Sequence, residues 1–481
     1  MNGTTYYRSL FDLGAGCLAL LYLCVSNHSV AETPGEGLSA TSLGITNSGT
    51  AHSDTANSDT TKAITNKHFN TAQVETLEDA WNLALAHNNR LKAAEQLDLA
   101  ARDELAQAKS QRLPSLVFSA NYTVLDNPPT IDSVFAGQPF QFTYWEEQSL
   151  YYSFYSAVPL YTGGRISKSI SAAQEQAQAT RLDTNIETRD LKMVVAKAYV
   201  DVLRARQGLS LARSHVKSLE KHQLDVENLQ RQGLVSRSDL LTANVALANA
   251  QQGLTRARHM SQLSIVAYNQ ILGRGFDIKP QLIEPHKQIP KTPTDEIEQL
   301  TALALEQREE LIALKKRARA LQYNASSVIS ATKPQVVLGG GYTALDNENQ
   351  LYDEIWFANI GMVWTVFDGG STRHRSNKLN RQAAALRAQH EELSGLIRLQ
   401  VRSAWLRVKE TDELVLVTKN TITQAEENLK VTRNRYREGL ASHTEVLDSE
   451  TLRIRAQSDH ANARFDSTLA SLQLQRATGK L

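Results

Sequence analysis

Twelve histidines and two cysteines are the residues most able to ligate a metal or attack a substrate, yet their spacing builds neither kind of site. A zinc hydrolase needs two histidines one helical turn apart with a glutamate beside the first, and no His-Glu-x-x-His occurs. Cys17 and Cys24 both lie within the first 24 residues, so there is no cysteine cluster for a metal. No glycine loop leads into a phosphate-binding lysine, and no serine occupies a strand-to-helix elbow. The glycine run beginning at Gly339 reads as a strand that needs close packing, not as a nucleotide cradle. Glu309-Glu310 and Glu391-Glu392 would diverge on a helix, so each pair reads as a solvated face and not as an acid and base. The expectation is a protein with no enzymatic chemistry, no metal and no cofactor.

Charge narrows the partners. Lys plus Arg is 52 and Asp plus Glu is 51, so no net field draws the chain to nucleic acid or acidic lipid. The apolar run "GAGCLALLYLCV" has the length of an export-signal core and is too short to span a bilayer, and "SVA" at Ser29 to Ala31 supplies small residues for cleavage. Residues 1–31 are therefore read as a removed signal peptide, with two alternatives left open: a short membrane anchor, or a lipoprotein acylated on Cys17. Residues 32–70, rich in Ser, Thr, Gly and Asn, read as a disordered leader. No other stretch approaches 18 consecutive apolar residues, so any membrane insertion must be by strands.

From Leu77 onward the sequence repeats itself. "LALAHNNRLKA" at Leu83 matches "LALEQREELIA" at Leu303, and Pro114 matches Pro334, at an offset of 220. Further on the offset is 206: Gly163-Gly164 pairs with Gly369-Gly370, and "QGLVSRSDLL" at Gln232 with "EGLASHTEVL" at Glu438. The first copy thus carries 14 extra residues between its two strand candidates. The boundaries expected are 71–275 for the first repeat, 276–296 for a linker and 297–481 for the second repeat.

Each copy follows one pattern. A helical stretch, roughly 77–112 or 297–330, precedes two strand candidates, about 114–125 with 149–161 and 334–345 with 354–367. Of the 31 aromatics in the chain, 18 fall in the windows 118–161 and 342–367. In "SLYYSFYSAVPL" alternation puts Leu150, Tyr152, Phe154 and Val158 on one face and Ser149, Tyr151, Ser153 and Tyr155 on the other. Strands of this length with an aromatic face suit a transmembrane barrel.

A long helix, a turn and a returning helix follow. Arg165 to Arg231 and Ser371 to Arg437 are proline-free runs of strong helix formers, each about 100 Å long at about 1.5 Å per residue. Apolar residues such as Leu191, Val195, Tyr199 and Val202 recur at the spacing of coiled-coil packing. Gly233 and Gly439 are expected to end these helices, with Ser238 and Thr444 as N-caps of the returning ones. Four strands per chain cannot close a barrel, so a barrel must be shared between copies, and three copies would supply twelve strands.

Two copies of helix, strand hairpin and long helical pair, the "GG" after each second strand, and the turns "GLVSRSDLL" and "GLASHTEVLDSE" resemble the TolC-like outer-membrane efflux proteins over about residues 71–481. The resemblance implies a mainly α fold: long antiparallel coiled-coil helices forming a periplasmic tunnel, with four transmembrane strands per chain that close a twelve-stranded barrel in a homotrimer. It implies an exit duct in the Gram-negative outer membrane that works with a periplasmic adaptor and an inner-membrane transporter in efflux or type I secretion. It also places Gly233, Leu234, Gly439 and Leu440 on tip turns that contact the adaptor, and Asp239, Glu445 and Asp448 near the tunnel constriction. Three copies would turn each carboxylate into a ring that favours cations. For Asp239 and Glu445 a plainer reading stands beside it, a carboxylate that complements the dipole at the first turn of a helix. The rival from another class is a periplasmic coiled-coil adaptor or scaffold without a pore. The 14 extra residues are expected to lengthen one extracellular loop.

Overall fold

The structure, a computed structural model, describes residues 74–135, 137–143, 145–284, 296–346 and 352–481. The signal and leader expected over 1–31 and 32–70, with Cys17, lie outside these residues, as does the 285–295 part of the linker. In chain order the elements are β1 (Val74–Glu75), α1 (Leu77–His87), α2 (Asn89–Ser110), β2 (Ser115–Val124), β3 (Thr130–Phe135), β4 (Gln138–Thr143), β5 (Gln148–Tyr161), α3 (Arg165–Arg231) and α4 (Arg237–Ile271). They continue with β6 (Gln281–Leu282), α5 (Ile297–Gln307), α6 (Glu309–Ile329), β7 (Gln335–Asp346), β8 (Glu354–Val363), α7 (Ser371–Arg437) and α8 (His443–Ala477). The second half therefore repeats the order of the first.

The stretches expected as single helices over 77–112 and 297–330 are each two helices. Asn88 leaves helical geometry at φ −69° and ψ 123°, and its Oδ1 accepts from the backbone N–H of Arg90 and Leu91, starting α2. Arg308, at the matching position of the second repeat, also leaves helical geometry, at φ −68° and ψ 113°, but its side chain does not cap the following helix. It is buried and donates to Glu310, Gln400 and the carbonyl of Ala477. Glu309-Glu310 is therefore not a solvated face. Glu309 pairs with Arg189 at 3.2 Å, and Glu310 takes bonds from Arg308 and Arg476. Burial alone would raise the Glu310 pKa, but these guanidiniums hold it at about 2. Glu391 does stay exposed, beside His390.

The four long strands form one antiparallel sheet in the order β2-β5-β7-β8. The two repeats meet at β5 and β7, where Phe154 lies opposite Tyr342. Leu116, Phe118, Tyr122, Phe154, Ile355, Trp356, Ile360 and Met362 are exposed, whereas Ser149 and Ser153 are buried, which matches the expected alternation along β5. The 14 extra residues of the first repeat fold with their surroundings into a separate hairpin, β3 with β4, between β2 and β5. The strands β2 and β8 have no partner on their outer sides among the described residues. In the glycine run, a Cβ on Gly341 would strike the carbonyl of Phe154, which accounts for glycine there.

The helices α3 and α7 are 67 residues each, as the proline-free runs require, and so about 100 Å long. Each is covered along different parts of its length by different partners. Packed on α3 are α1, α2, α4, α6 and α8; packed on α7 are α5, α6 and α8. One core forms around Tyr199, Tyr268, Val195, Leu272 and Phe465, and a second around Leu300, Ile397, Val401 and Leu474. In the first, the Tyr199 hydroxyl bonds the backbone carbonyls of Glu75 in β1 and of Ile283 just after β6, and accepts from the Ile283 N–H at 2.9 Å. No described helix is long and apolar enough to cross a membrane.

Candidate functional site

The returning turns are nearly identical in the two repeats. Gly233 and Gly439 adopt φ of 76° and 72°, the left-handed region, and end α3 and α7. The N–H of Leu234 reaches back to the carbonyl of Leu229 at 2.9 Å, and that of Leu440 to Arg435 at 2.7 Å, the six-residue closure of a Schellman motif. Leu234 and Leu440 are left 68% and 64% exposed, two apolar side chains on the turns with no cover from the described residues.

The N-caps differ from expectation. They are Ser236 and Ser442, two residues before Ser238 and Thr444. The Schellman turn closes in so few residues that the earlier serine already sits at the helix entrance. Ser236 Oγ accepts from the Asp239 N–H at 3.2 Å while the Asp239 carboxylate accepts from Ser236 N–H at 3.1 Å. Ser442 and Glu445 form the same reciprocal box at 3.3 and 3.0 Å. These bonds from the Ser442 backbone and hydroxyl, with a smaller pull from Arg435, lower the Glu445 pKa. Both carboxylates thus have a structural role at the start of a helix.

Asp448 is placed differently. It lies one turn further along α8, exposed, with no ion pair among the described residues. The repeat offset pairs it with Thr242, so only one of the two turns carries a carboxylate there. Of the three acidic candidates it alone takes no part in a helix cap.

Sequence reasoning missed the polar seam that joins the two helical pairs above these turns. His222 of α3 and His443 of α8 stack with ring centroids 4.9 Å apart and planes within 8°, and His222 Nε2 lies 2.9 Å from His443 Nδ1. Both rings are buried. Tyr436 of α7 packs against them within a small apolar cluster that includes Val226, Ala243 and Val446. Burial pushes the His222 imidazole down to about 4, with His443 and Arg433 adding to the shift, and burial also lowers His443.

Further up, Glu450 is 1% exposed. Its carboxylate contacts Arg453 at 2.6 Å, Arg433 at 3.2 Å and His215 of α3 at 3.3 Å. Burial works to raise its pKa, but the bonds from His215 and Arg453 prevail and hold it at about 2. The repeat offset pairs Glu450 with Asn244, His215 with Thr421 and His222 with Asn428. The only signal in the sequence was therefore a departure of one repeat from the other.

Beside this seam, α3, α4 and α8 leave an open groove of about 520 Å³, walled by Gly208, Ala212, His215, Ala250, Gly253 and Thr451. Among the described residues no group of three or more His, Cys, Asp or Glu could hold a metal ion.

A duplicated pair of long helices, ending in two matched turns and carrying a strand hairpin at the other end of each, is what the comparisons match. The sequence profile of the outer membrane efflux proteins covers residues 80–274 and 300–480. The chain belongs to this outer membrane efflux protein family. The two matched segments coincide with the two structural copies and leave out the residues between them. Among curated relatives, the outer membrane protein TolC of Vibrio cholerae is 24% identical over 422 residues, covering 85% of this chain and 91% of that one. The alkaline protease secretion protein AprF of Pseudomonas aeruginosa is 23% identical over 424 residues, 84% of each chain. Among solved structures, the outer membrane protein VceC of Vibrio cholerae superposes with a TM-score of 0.71 at 17% identity, covering 84% of this chain and 96% of that one. As a member of this outer membrane efflux protein family, the chain is a protein of the Gram-negative outer membrane.

Proposed function

We propose that the chain is the exit duct of a tripartite efflux or type I secretion system, with repeats at 71–275 and 297–481 joined by 276–296. Three copies join edge to edge, β2 of one to β8 of the next, and close a twelve-stranded barrel in the outer membrane. The observation that carries this reading is the open four-stranded sheet, whose two edges are unpaired among the described residues and whose outer face is apolar and aromatic. In lipid an unpaired edge costs several kcal/mol per orphaned backbone group, about 2–7 on transfer scales, so such a sheet is stable only when closed by further copies.

The helices support the same arrangement. Leu396, Leu399 and Leu406 on α7, and Leu241 and Val245 on α4, are exposed at spacings of three, four and seven, the spacings that a neighbouring helix covers. Helices of about 100 Å reach from the barrel well into the periplasm. At their end, Gly233, Leu234, Gly439 and Leu440 present apolar turns to the helical hairpins of a periplasmic adaptor, which links the duct to an inner-membrane transporter. Asp448 forms a ring of three carboxylates in the constriction, with Asp239 and Glu445 adding to the field from their caps. A pore-free periplasmic scaffold is disfavoured by membership of an outer-membrane family.

Single-channel conductance of the purified protein in planar bilayers tests this, comparing the native chain with Asp448→Ala. The expected result is a small cation-selective conductance that loses selectivity in the variant. Absence of conductance in both, from protein that stays water-soluble without detergent, overturns the duct.

A further inference from the structure

The His222–His443 contact joins the two helical pairs near the returning turns, beside the Asp225–Arg437 and His215–Glu450 contacts that also bridge them: α3 belongs to the first pair and α8 to the second. The geometry of the contact depends on protonation. A neutral pair has one hydrogen to place between His222 Nε2 and His443 Nδ1, so one ring donates and the other accepts across 2.9 Å. A first added proton leaves that bond in place but puts a charge where His443 Nε2 is buried with no partner among the described residues. A second leaves two N–H groups facing each other and two cations in rings 4.9 Å apart. No rotation within the stack relieves this, because Tyr436 and the apolar cluster of Val226, Ala243 and Val446 enclose it.

The surrounding charges do not compensate. On α3, Asp225 is paired with Arg437 of α7 at 3.3 Å. On α4, Asp239 is engaged in the Ser236 cap. On α7, Arg433 adds positive charge, and on α8 Glu450 is held by Arg453 and His215. Tyr436 adds no charge, since burial raises its pKa further.

We propose that His222 and His443 form an acid-released latch: neutral, they clamp the two helical pairs together at the tip, and protonated, they drive the pairs apart. The sign follows from linkage. A solvated histidine titrates near 6.5, about the value it regains once the pairs separate, whereas burial holds His222 at about 4 in the latched state. The latched state binds fewer protons, so it loses ground as pH falls below about 6.5 and is released as pH approaches 4. Between pH 7.5 and 5 the released-to-latched ratio rises on the order of tenfold or more. That release widens a conduit rests on the duct reading; the latch itself does not.

The test uses the full chain with Cys17 and Cys24 replaced by Ser and spin labels on Lys221→Cys of α3 and Thr444→Cys of α8, both exposed. Electron–electron distance measurement should give one short distance at pH 7.5 and a second, longer population at pH 5. In the His222→Phe/His443→Phe variant, which keeps a stacked pair without titration, the short distance should persist at both values. His222→Gln/His443→Gln serves the same purpose if the first variant does not assemble. An unchanged distance at pH 5 in the native chain, or the same lengthening in the untitratable variant, overturns the latch. Conductance recorded in parallel separates the two readings. Lengthening with no current at any pH keeps the latch and sinks the duct, whereas current with no lengthening does the reverse.

Discussion

The phenol of Tyr155 occupies the space that a side chain on residue 339 would need: a Cβ built on Gly339 lies 2.9 Å from Tyr155 Cζ and 2.7 Å from Asn359 Oδ1. Tyr155 is held there by stacking on Phe357, with ring centroids 6.2 Å apart. Gly339→Val should therefore displace Tyr155 and cost about 1–3 kcal/mol by overpacking. Gly361→Ala, where nothing lies within 4 Å, is the control. Heat-resistant oligomers in detergent extracts of outer membrane should be lost in the first variant and kept in the second. Equal yields from both would show that the sheet does not need the glycine.

The caps offer a discriminating pair of substitutions. Ser236→Ala and Ser442→Ala each remove a reciprocal box and should cost about 1 kcal/mol, read as faster proteolysis at the tip turns. Ser238→Ala and Thr444→Ala should change stability by no more than about 0.5 kcal/mol. If the second pair proves as damaging as the first, the cap assignment is wrong.

Glu450 should dominate acid sensitivity above the tip. Its pKa lies below the ordinary value of 4.5, at about 2, so its contribution is complete above 4.5 and lost as pH falls toward 2. Glu450→Gln leaves the partly buried Arg453 and Arg433 unpaired and should cost about 3 kcal/mol at neutral pH. Thermal unfolding measured from pH 7 to 3 should be flatter below pH 4.5 in the variant than in the native protein.

At the turns, Gly233→Ala and Gly439→Ala force a Cβ into the left-handed region at φ near 75°, costing about 1–2 kcal/mol each although no neighbouring atom is struck. Asn tolerates that region better, so Gly439→Asn should recover part of the loss in melting temperature.

What the sequence determined by itself is what depends on neighbours along the chain. The proline-free runs from Arg165 and Ser371, closed by Gly233 and Gly439, set two helices of 67 residues because helix formation and termination are local. Alternation along β5 put Ser149 and Ser153 on one face and Phe154 on the other, and the double repeat made the duplicated architecture and its family legible. The tertiary structure decided what distant residues do to one another. His222 meets His443 across 221 positions, and His215 meets Glu450 across 235. The partners of Glu309-Glu310, misread as a solvated face, come from Arg189 on α3 and Arg476 at the end of α8. Even the choice of Ser236 over Ser238 was settled by how tightly the Schellman turn closes. Spacing along one helix determines which face a residue occupies. Which chain segment covers that face is decided by packing between helices, and at the tip that packing turned two histidines and a glutamate into a buried seam.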